Sequence, residues 1–161
     1  MNRTAEDISI LVDLEMEKIA DLVIQDALKS ILIYPSRHLR DWDHGKPGER
    51  YPCWRVAEHK ESDTGIVYSD FGFGPELPWG LVFLSDSWFG LDSSWFSNLE
   101  DAFCDCHAST PLQIWNVIIK NEDGSTAEIV TNLSLDEAYD RCDELNSNAG
   151  KHIYSVNRRK R

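Results

Sequence analysis

The chain has 161 residues, enough for one domain of ordinary size or one domain with a small appendage. Six Trp and six Phe supply a core, which excludes a disordered chain, and no apolar run is long enough to cross a bilayer. The net charge of −12 disfavours binding to nucleic acid or to an anionic membrane, and it favours encounter with basic proteins. The N-terminal residues contain no apolar segment typical of a signal peptide, so we expect a cytoplasmic protein.

Residues 4–33 carry apolar side chains at helical spacing. Thr4 and Asp7 form a capping-box pattern, with Asp in place of the usual Glu. A break in this apolar spacing near 13–16 leaves two interpretations, one helix or a helix pair. Pro35 is expected to end the helix, because the residue before a proline is pushed out of helical geometry.

A β region follows. Residues 38–42, 51–59, 65–73 and 79–84 alternate or are rich in strand-forming residues, and turn-forming residues separate them. This pattern predicts an antiparallel meander of about four strands. A helix over residues 95–106 is expected next, with Ser97 and Glu100 as its capping box.

The sequence pattern of the last third of the chain predicts a strand–strand–helix–strand unit. An Asp-Gly turn within residues 121–125 joins the first two strands, and Ser134 with Glu137 caps the helix. The predicted fold is therefore α+β. Its domain 1–108 holds an acidic aromatic region, a ββαβ unit at 111–156 packs on it, and residues 157–161 form a basic tail.

The region from 68 to 96 is both aromatic and acidic, and the chain has no Lys or Arg between Lys60 and Lys120. Residues 1–110 hold nine Lys and Arg against twenty Asp and Glu. We interpret this region as a surface that binds a basic protein, with the loop at 85–95 as its most accessible part. The predicted contact residues are Asp70, Glu76, Trp79, Asp86, Trp88, Asp92 and Trp95.

Cysteine and histidine patterns give weaker hypotheses. Cys104, Cys106 and His107 have part of a zinc-site spacing, but the remaining candidates show no matching second pair, so no metal is predicted. Cys53 and His59 would lie about 20 Å apart along one strand, too far for a thiol and its base. Cys53 with His38 is the other such pairing, and the sequence shows neither contact nor an oxyanion site for it.

The densest polar group is the segment from Arg37 to His44. It contains Arg37, His38, Arg40, Asp41, Trp42, Asp43 and His44. Either a phosphate or acid–base site or a solvated strand edge with local ion pairs fits this composition. Phosphate-loop and calcium-loop motifs are absent, so we expect no cofactor and no enzyme activity.

The segments RYPCW, GIVYSDFGFGP, PWGLVF and GLDSSWFSNLEDAF resemble small bacterial immunity-type proteins of toxin–immunity systems, over about residues 15–103. The resemblance implies a protein that binds its cognate toxin and occludes the active site. It assigns no catalytic residues. We expect a monomer or weak dimer that does not bind nucleic acid directly, since the short basic tail does not outweigh the acidic field.

Three alternatives remain open at this point. The first is a phage-type mimic of nucleic acid that blocks a host defence complex. The second is an enzyme without a recognisable signature. The third is a structural or adaptor domain whose acidity keeps it soluble.

Overall fold

The computed structural model describes residues 3–70, 73, 76–113, 115–121, 124–148 and 153–158, without the side chains of residues 92, 132, 148 and 158. The chain forms two compact units, Met1–Ser109 and Thr110–Arg161, and the fold is α+β as predicted. The division into domains at 1–108 and 111–156 stays a prediction. Packing of the second unit on the first stays a prediction.

A helix pair opens the first unit, α1 over Ala5–Lys18 and α2 over Leu22–Ile31. The capping box at α1 is confirmed: the Thr4 N–H donates to Asp7 Oδ2 at 2.8 Å, and the Asp7 N–H donates to Thr4 Oγ1 at 3.2 Å. Asp21 caps α2 by accepting from the Val23 N–H at 2.9 Å. The break between the helices lies after Lys18, later than the sequence indicated.

Five strands follow in an antiparallel sheet ordered β1-β2-β3-β4-β5. Their bounds are Leu32–Arg40, Tyr51–His59, Thr64–Tyr68, Trp79–Phe83 and Trp95–Phe96. The meander is confirmed with one more strand than expected. The prediction that the helix runs to residue 33 and that a strand starts only at 38 is wrong. Pro35 lies inside β1, where it is tolerated because β1 is an edge strand: in the part of the chain that the structure describes, no strand lies on its outer side.

Aromatic side chains close one face of this sheet. Cys53, Val67 and Val82 form a buried cluster there with Phe89 and Trp95 from the segment after β4. At Gly80 a Cβ atom would lie 2.5 Å from the Trp95 ring, so only glycine permits this close packing. Helices α1 and α2 also contact the sheet strands.

Helix α3 spans Leu99–Asp105 and is shorter than predicted. The expected capping box of Ser97 and Glu100 is wrong, because Trp95 and Phe96 pair with β4 and Asn98 is the N-cap. The Asn98 side chain accepts from the Asp101 N–H at 2.8 Å.

A buried carboxylate from α1 completes this cap. Glu15 is 8% exposed, and its Oε2 accepts from the Leu99 N–H at 3.1 Å, while its Oε1 pairs with Lys18 at 2.5 Å. One acidic side chain therefore joins the end of α1 to the start of α3.

The second unit contains β6 (Trp115–Lys120), β7 (Thr126–Leu133), α4 (Leu135–Asn148) and β8 (Ile153–Arg158). Its antiparallel sheet has the order β7-β6-β8, which confirms the predicted ββαβ connectivity. Val117, Ala138 and Cys142 form its core.

Local signals in this unit are confirmed where the structure describes them. The Ser134 N–H donates to Glu137 Oε2 at 2.9 Å, and Gly124 has a φ of 83° in the β6–β7 turn. Residues 159–161 of the predicted basic tail lie outside the described residues. Within the described part of the chain, no helix is long and apolar enough to span a membrane.

Candidate functional site

The segment after β4 returns to the outer side of β1. The Asp41 N–H donates to the Ser87 carbonyl at 2.7 Å, and the Phe89 N–H donates to the Asp41 carbonyl at 2.9 Å. These two bonds place Trp88 beside Asp41 in a short parallel bridge. The loop is thus attached to the sheet by backbone hydrogen bonds.

A buried arginine holds the same loop through hydrogen bonds from the protein interior. Arg40 is 3% exposed, and its Nη1 donates to the carbonyls of Asp86 at 2.9 Å and Trp88 at 2.8 Å. Its Nη2 donates to the Phe83 carbonyl at 3.0 Å. Burial lowers the pKa of Arg40, but a guanidinium titrates so far above neutral pH that it stays charged.

Two carboxylates accept hydrogen bonds from Trp88, one from its backbone N–H and one from its indole N–H. Asp86 Oδ1 accepts from the N–H groups of Ser87 at 2.6 Å and of Trp88 at 3.1 Å. The Trp88 indole N–H donates to Asp43 Oδ1 at 2.9 Å. Asp43 and Asp86 are exposed and Trp88 is half-buried. We call Asp43, Asp86 and Trp88 the Trp88 platform.

Next to the platform residues, Asp41 forms an ion pair with Arg50. Arg50 Nε lies 3.2 Å from Asp41 Oδ1, and Asp41 Oδ2 also accepts from Ser87 Oγ at 2.8 Å. Hydrogen bonds from Arg50 and then from Ser87 lower the pKa of Asp41. Among the described residues no Lys or Arg forms an ion pair with Asp43 or Asp86, although the buried guanidinium of Arg40 interacts electrostatically with Asp86.

Other predicted contacts lie on the next connection of the sheet. Asp70 follows β3 and is exposed, but its carboxylate pairs with Arg3 Nε at 2.9 Å and accepts from the Tyr68 hydroxyl at 2.8 Å. Glu76 is exposed in the β3–β4 connection. Asp92 lies in a short 3-10 helix, and its side chain is outside the described part.

Trp79 and Trp95, which were predicted to contact a partner, lie in the core. They are 2% and 4% exposed. The Trp79 ring packs 5.1 Å from that of Tyr68, and the Trp95 ring packs 5.4 Å from that of Phe89. In the folded chain neither side chain offers a surface to a partner: the register of β4 with β5 puts Trp79 and Trp95 on opposite faces of the sheet, and each is buried there.

The polar segment from Arg37 to His44 holds the loop and its surroundings in place. Arg40 and Asp41 bind the loop backbone, as described above. The Trp42 ring makes edge contacts with Tyr51 at 5.4 Å and Phe73 at 5.9 Å, and His44 packs against Trp42 at 5.7 Å. The sequence showed this segment as a dense polar group but gave no sign that Arg40 reaches under residues 83–88.

The thiol hypotheses gain no support from the geometry. His38 lies opposite Cys53 on the neighbouring strand. The distance of about 20 Å estimated from the sequence concerned the other candidate base, His59. Burial raises the pKa of Cys53 to about 11, so the thiol stays protonated and is a poor nucleophile at neutral pH. His38 Nε2 lies 3.0 Å from Ser36 Oγ, and burial lowers its pKa.

The predicted absence of a metal stays a prediction. Cys106 is buried in α3's C-terminal cap, where burial raises the pKa of its thiol. Over the residues that the structure describes, no group of three or more His, Cys, Asp or Glu side chains is placed to hold a metal ion.

No protein-family model matches the chain, and neither the curated proteins nor the solved structures contain a match. The function is therefore inferred from the surface itself.

Proposed function

We propose that the protein is an acidic inhibitor that binds a basic protein, with the Trp88 platform at the centre of the contact. One observation supports this most directly. A half-exposed tryptophan donates hydrogen bonds to two carboxylates that form no ion pair among the described residues, and Arg40 and Asp41 hold the backbone of residues 83–89 by five hydrogen bonds.

A fixed loop suits binding because little conformational entropy is lost when a partner docks. Trp88 has the properties of an interface hot spot, being large, rigid and still accessible. The carboxylates of Asp43 and Asp86 would pair with cationic side chains of the partner, and the acidic field would steer the two proteins together.

A nuclease toxin is the partner class that fits this surface best. The groove of a nuclease is lined with basic side chains that bind phosphate, and a surface of fixed carboxylates competes for the same cations. The resemblance to immunity-type proteins points to the same class. In this proposal the platform enters the groove and keeps nucleic acid out.

The test separates charge from loop geometry. In Asp43→Asn with Asp86→Asn, each amide oxygen still accepts the same hydrogen bonds, so the loop keeps its shape and only the charge is lost. The matched control removes two exposed carboxylates elsewhere, in Asp13→Asn with Glu61→Gln. Wild-type protein captures candidate partners from its native host, and mass spectrometry identifies them.

We expect a captured basic protein to bind the platform variant at least about tenfold more weakly, which is about 1.4 kcal/mol, and to bind the control variant as it binds the wild type. Its association rate should fall as salt is raised, and less steeply for the platform variant. The wild type should also suppress the captured protein's nuclease activity. Equal affinity for both variants would remove the platform from the interface.

A further inference from the structure

We propose that the outer edge of β1, next to the Trp88 platform, accepts an extended strand of the same partner protein; this inference rests on the proposed function. The edge is available because β1 is the first strand of the sheet and, among the described residues, pairs as a strand with β2 alone.

The direction of the backbone groups along β1 follows from its contacts. Asp41 directs both its N–H and its C=O away from β2, toward Ser87 and Phe89. In a strand the backbone groups of alternate residues point the same way, so those of Leu39 and Arg37 also point outward.

The pairing with β2 agrees with that direction. Leu39 faces Pro52, whose carbonyl accepts from Ser69 Oγ on the β3 side and which has no N–H to give to β1. Leu39 and Arg37 therefore present two N–H and two C=O groups at the outer edge, and both residues are exposed.

The open stretch is bounded at both ends. On one side the loop at Ser87–Phe89 already occupies the edge at Asp41. On the other side Pro35, within the stretch where the register with β2 shifts, has no N–H to offer. Only a short strand fits between these limits, and its end would meet the platform.

The loop also shows that this edge accepts a strand, because its own segment pairs there in parallel orientation. A strand of the partner would continue that line, with its backbone bound by Arg37 and Leu39. Backbone hydrogen bonds would contribute affinity, and the platform would select basic side chains at one end of the strand. A basic partner with an exposed extended segment is the occupant that this charge favours.

The first experiment uses the full chain and a defined probe. An eight-residue peptide of alternating valine with lysine or threonine is titrated into the ¹⁵N-labelled protein, and amide shifts are followed by NMR. We expect the Arg37 and Leu39 amides to move most and to exchange more slowly with solvent. The same peptide N-methylated at its four central residues should lose this effect, because it has few backbone donors left.

A pair of variants tests the edge from the side of the protein. Leu39→Pro removes the outward N–H at a position where an edge strand tolerates proline, whereas Leu39→Ala keeps that N–H and removes the side chain. Peptide affinity is expected to fall about tenfold for the proline variant and to change little for the alanine variant.

Several outcomes would overturn the proposal. One is that the amide shifts caused by the peptide map to another part of the protein. Another is that the N-methylated peptide binds as tightly as the unmodified one. Movement of the Arg37 and Leu39 amides with protein concentration alone would assign the edge to a second copy of this chain. If the captured partner depends on Asp43 and Asp86 while the peptide leaves the edge unaffected, the strand proposal fails and the proposed function stands. If the peptide binds at the edge and the captured partner ignores both carboxylates, the proposed function fails.

Discussion

Arg40 carries a charge into the interior without a carboxylate in salt-bridge contact. Its two terminal nitrogens donate to the carbonyls of Phe83, Asp86 and Trp88, its Nε has no hydrogen-bond partner among the described residues, and the Asp86 carboxylate nearby favours its charged form. A side chain that donates to three carbonyls in one loop determines the path of that loop. The platform therefore depends on a residue that no partner would touch.

Replacing Arg40 with methionine should lower the free energy of unfolding by about 3 kcal/mol, because three charge-assisted hydrogen bonds are lost and buried carbonyls are left without donors. Urea unfolding followed by tryptophan fluorescence measures this. Arg37→Met is the matched control, since Arg37 is exposed on the same strand, and its effect should stay within about 0.5 kcal/mol. Similar losses for both variants would mean that Arg40 does not hold the loop.

The sequence identified part of this site at the residue scale. Asp86 and Trp88 were named because turn-rich loops between strands stay at the surface. Trp79 and Trp95 were named with them and are buried, since composition does not reveal the phase of a strand until its partner is known. The sequence places Arg40 in a dense polar group but does not reveal its role, because its partners are carbonyls 43 to 48 residues away, which leave no pattern in the sequence.

At the scale of elements, the buried carboxylate of Glu15 connects two helices. It accepts from the first N–H of α3, a donor that has no partner within the helix. This contact joins residues 84 positions apart in the chain. It helps to place α3 where its buried residues reach the sheet.

Glu15→Ala should destabilise the protein by about 1 to 3 kcal/mol, because the Leu99 N–H would be left buried without an acceptor. Glu17→Ala, at an exposed position of the same helix, is the control and should change stability by less than about 0.5 kcal/mol. Thermal unfolding by circular dichroism distinguishes the two. If the variants match, the Glu15 contact contributes nothing to the fold.

Element types followed from the sequence better than element boundaries did. The capping boxes predicted at Thr4 and at Ser134 are both present. The cap of α3 was placed one residue early because Ser97 also fits the pattern, and only the pairing of Trp95 and Phe96 with β4 decides between the two. The sequence does not reveal the start of β1, because its first residues, Leu32 and Ile33, are apolar and suit a helix end as well as a strand.

At the scale of the whole molecule, stability should depend on pH above neutrality. The buried thiol of Cys53 has its pKa raised from 9.0 to about 11, mainly by burial, so the folded state holds a proton that the unfolded state releases. The stabilisation is complete below pH 9 and is lost as the pH rises toward 11. Tyr68, with its pKa raised to about 12, acts in the same direction at higher pH.

We expect the unfolding free energy of the wild type to fall by about 1.4 kcal/mol per pH unit between about 9 and 11 through Cys53. Cys53→Ala is less stable at every pH because of the cavity it leaves, but its pH dependence over this range should be shallower. Urea unfolding at pH 8, 9, 10 and 11 gives both slopes. Parallel slopes would show that Cys53 does not titrate with unfolding.

The three carbonyls that Arg40 binds have a further consequence for how such a surface can diversify. Their spacing along residues 83–88 fixes the length of that loop, so an insertion or deletion there would separate donor from acceptor. Side chains at positions 43, 86 and 88 are free of that restriction. Homologues directed at other targets should therefore differ by exchanges at these three positions on a backbone of constant length.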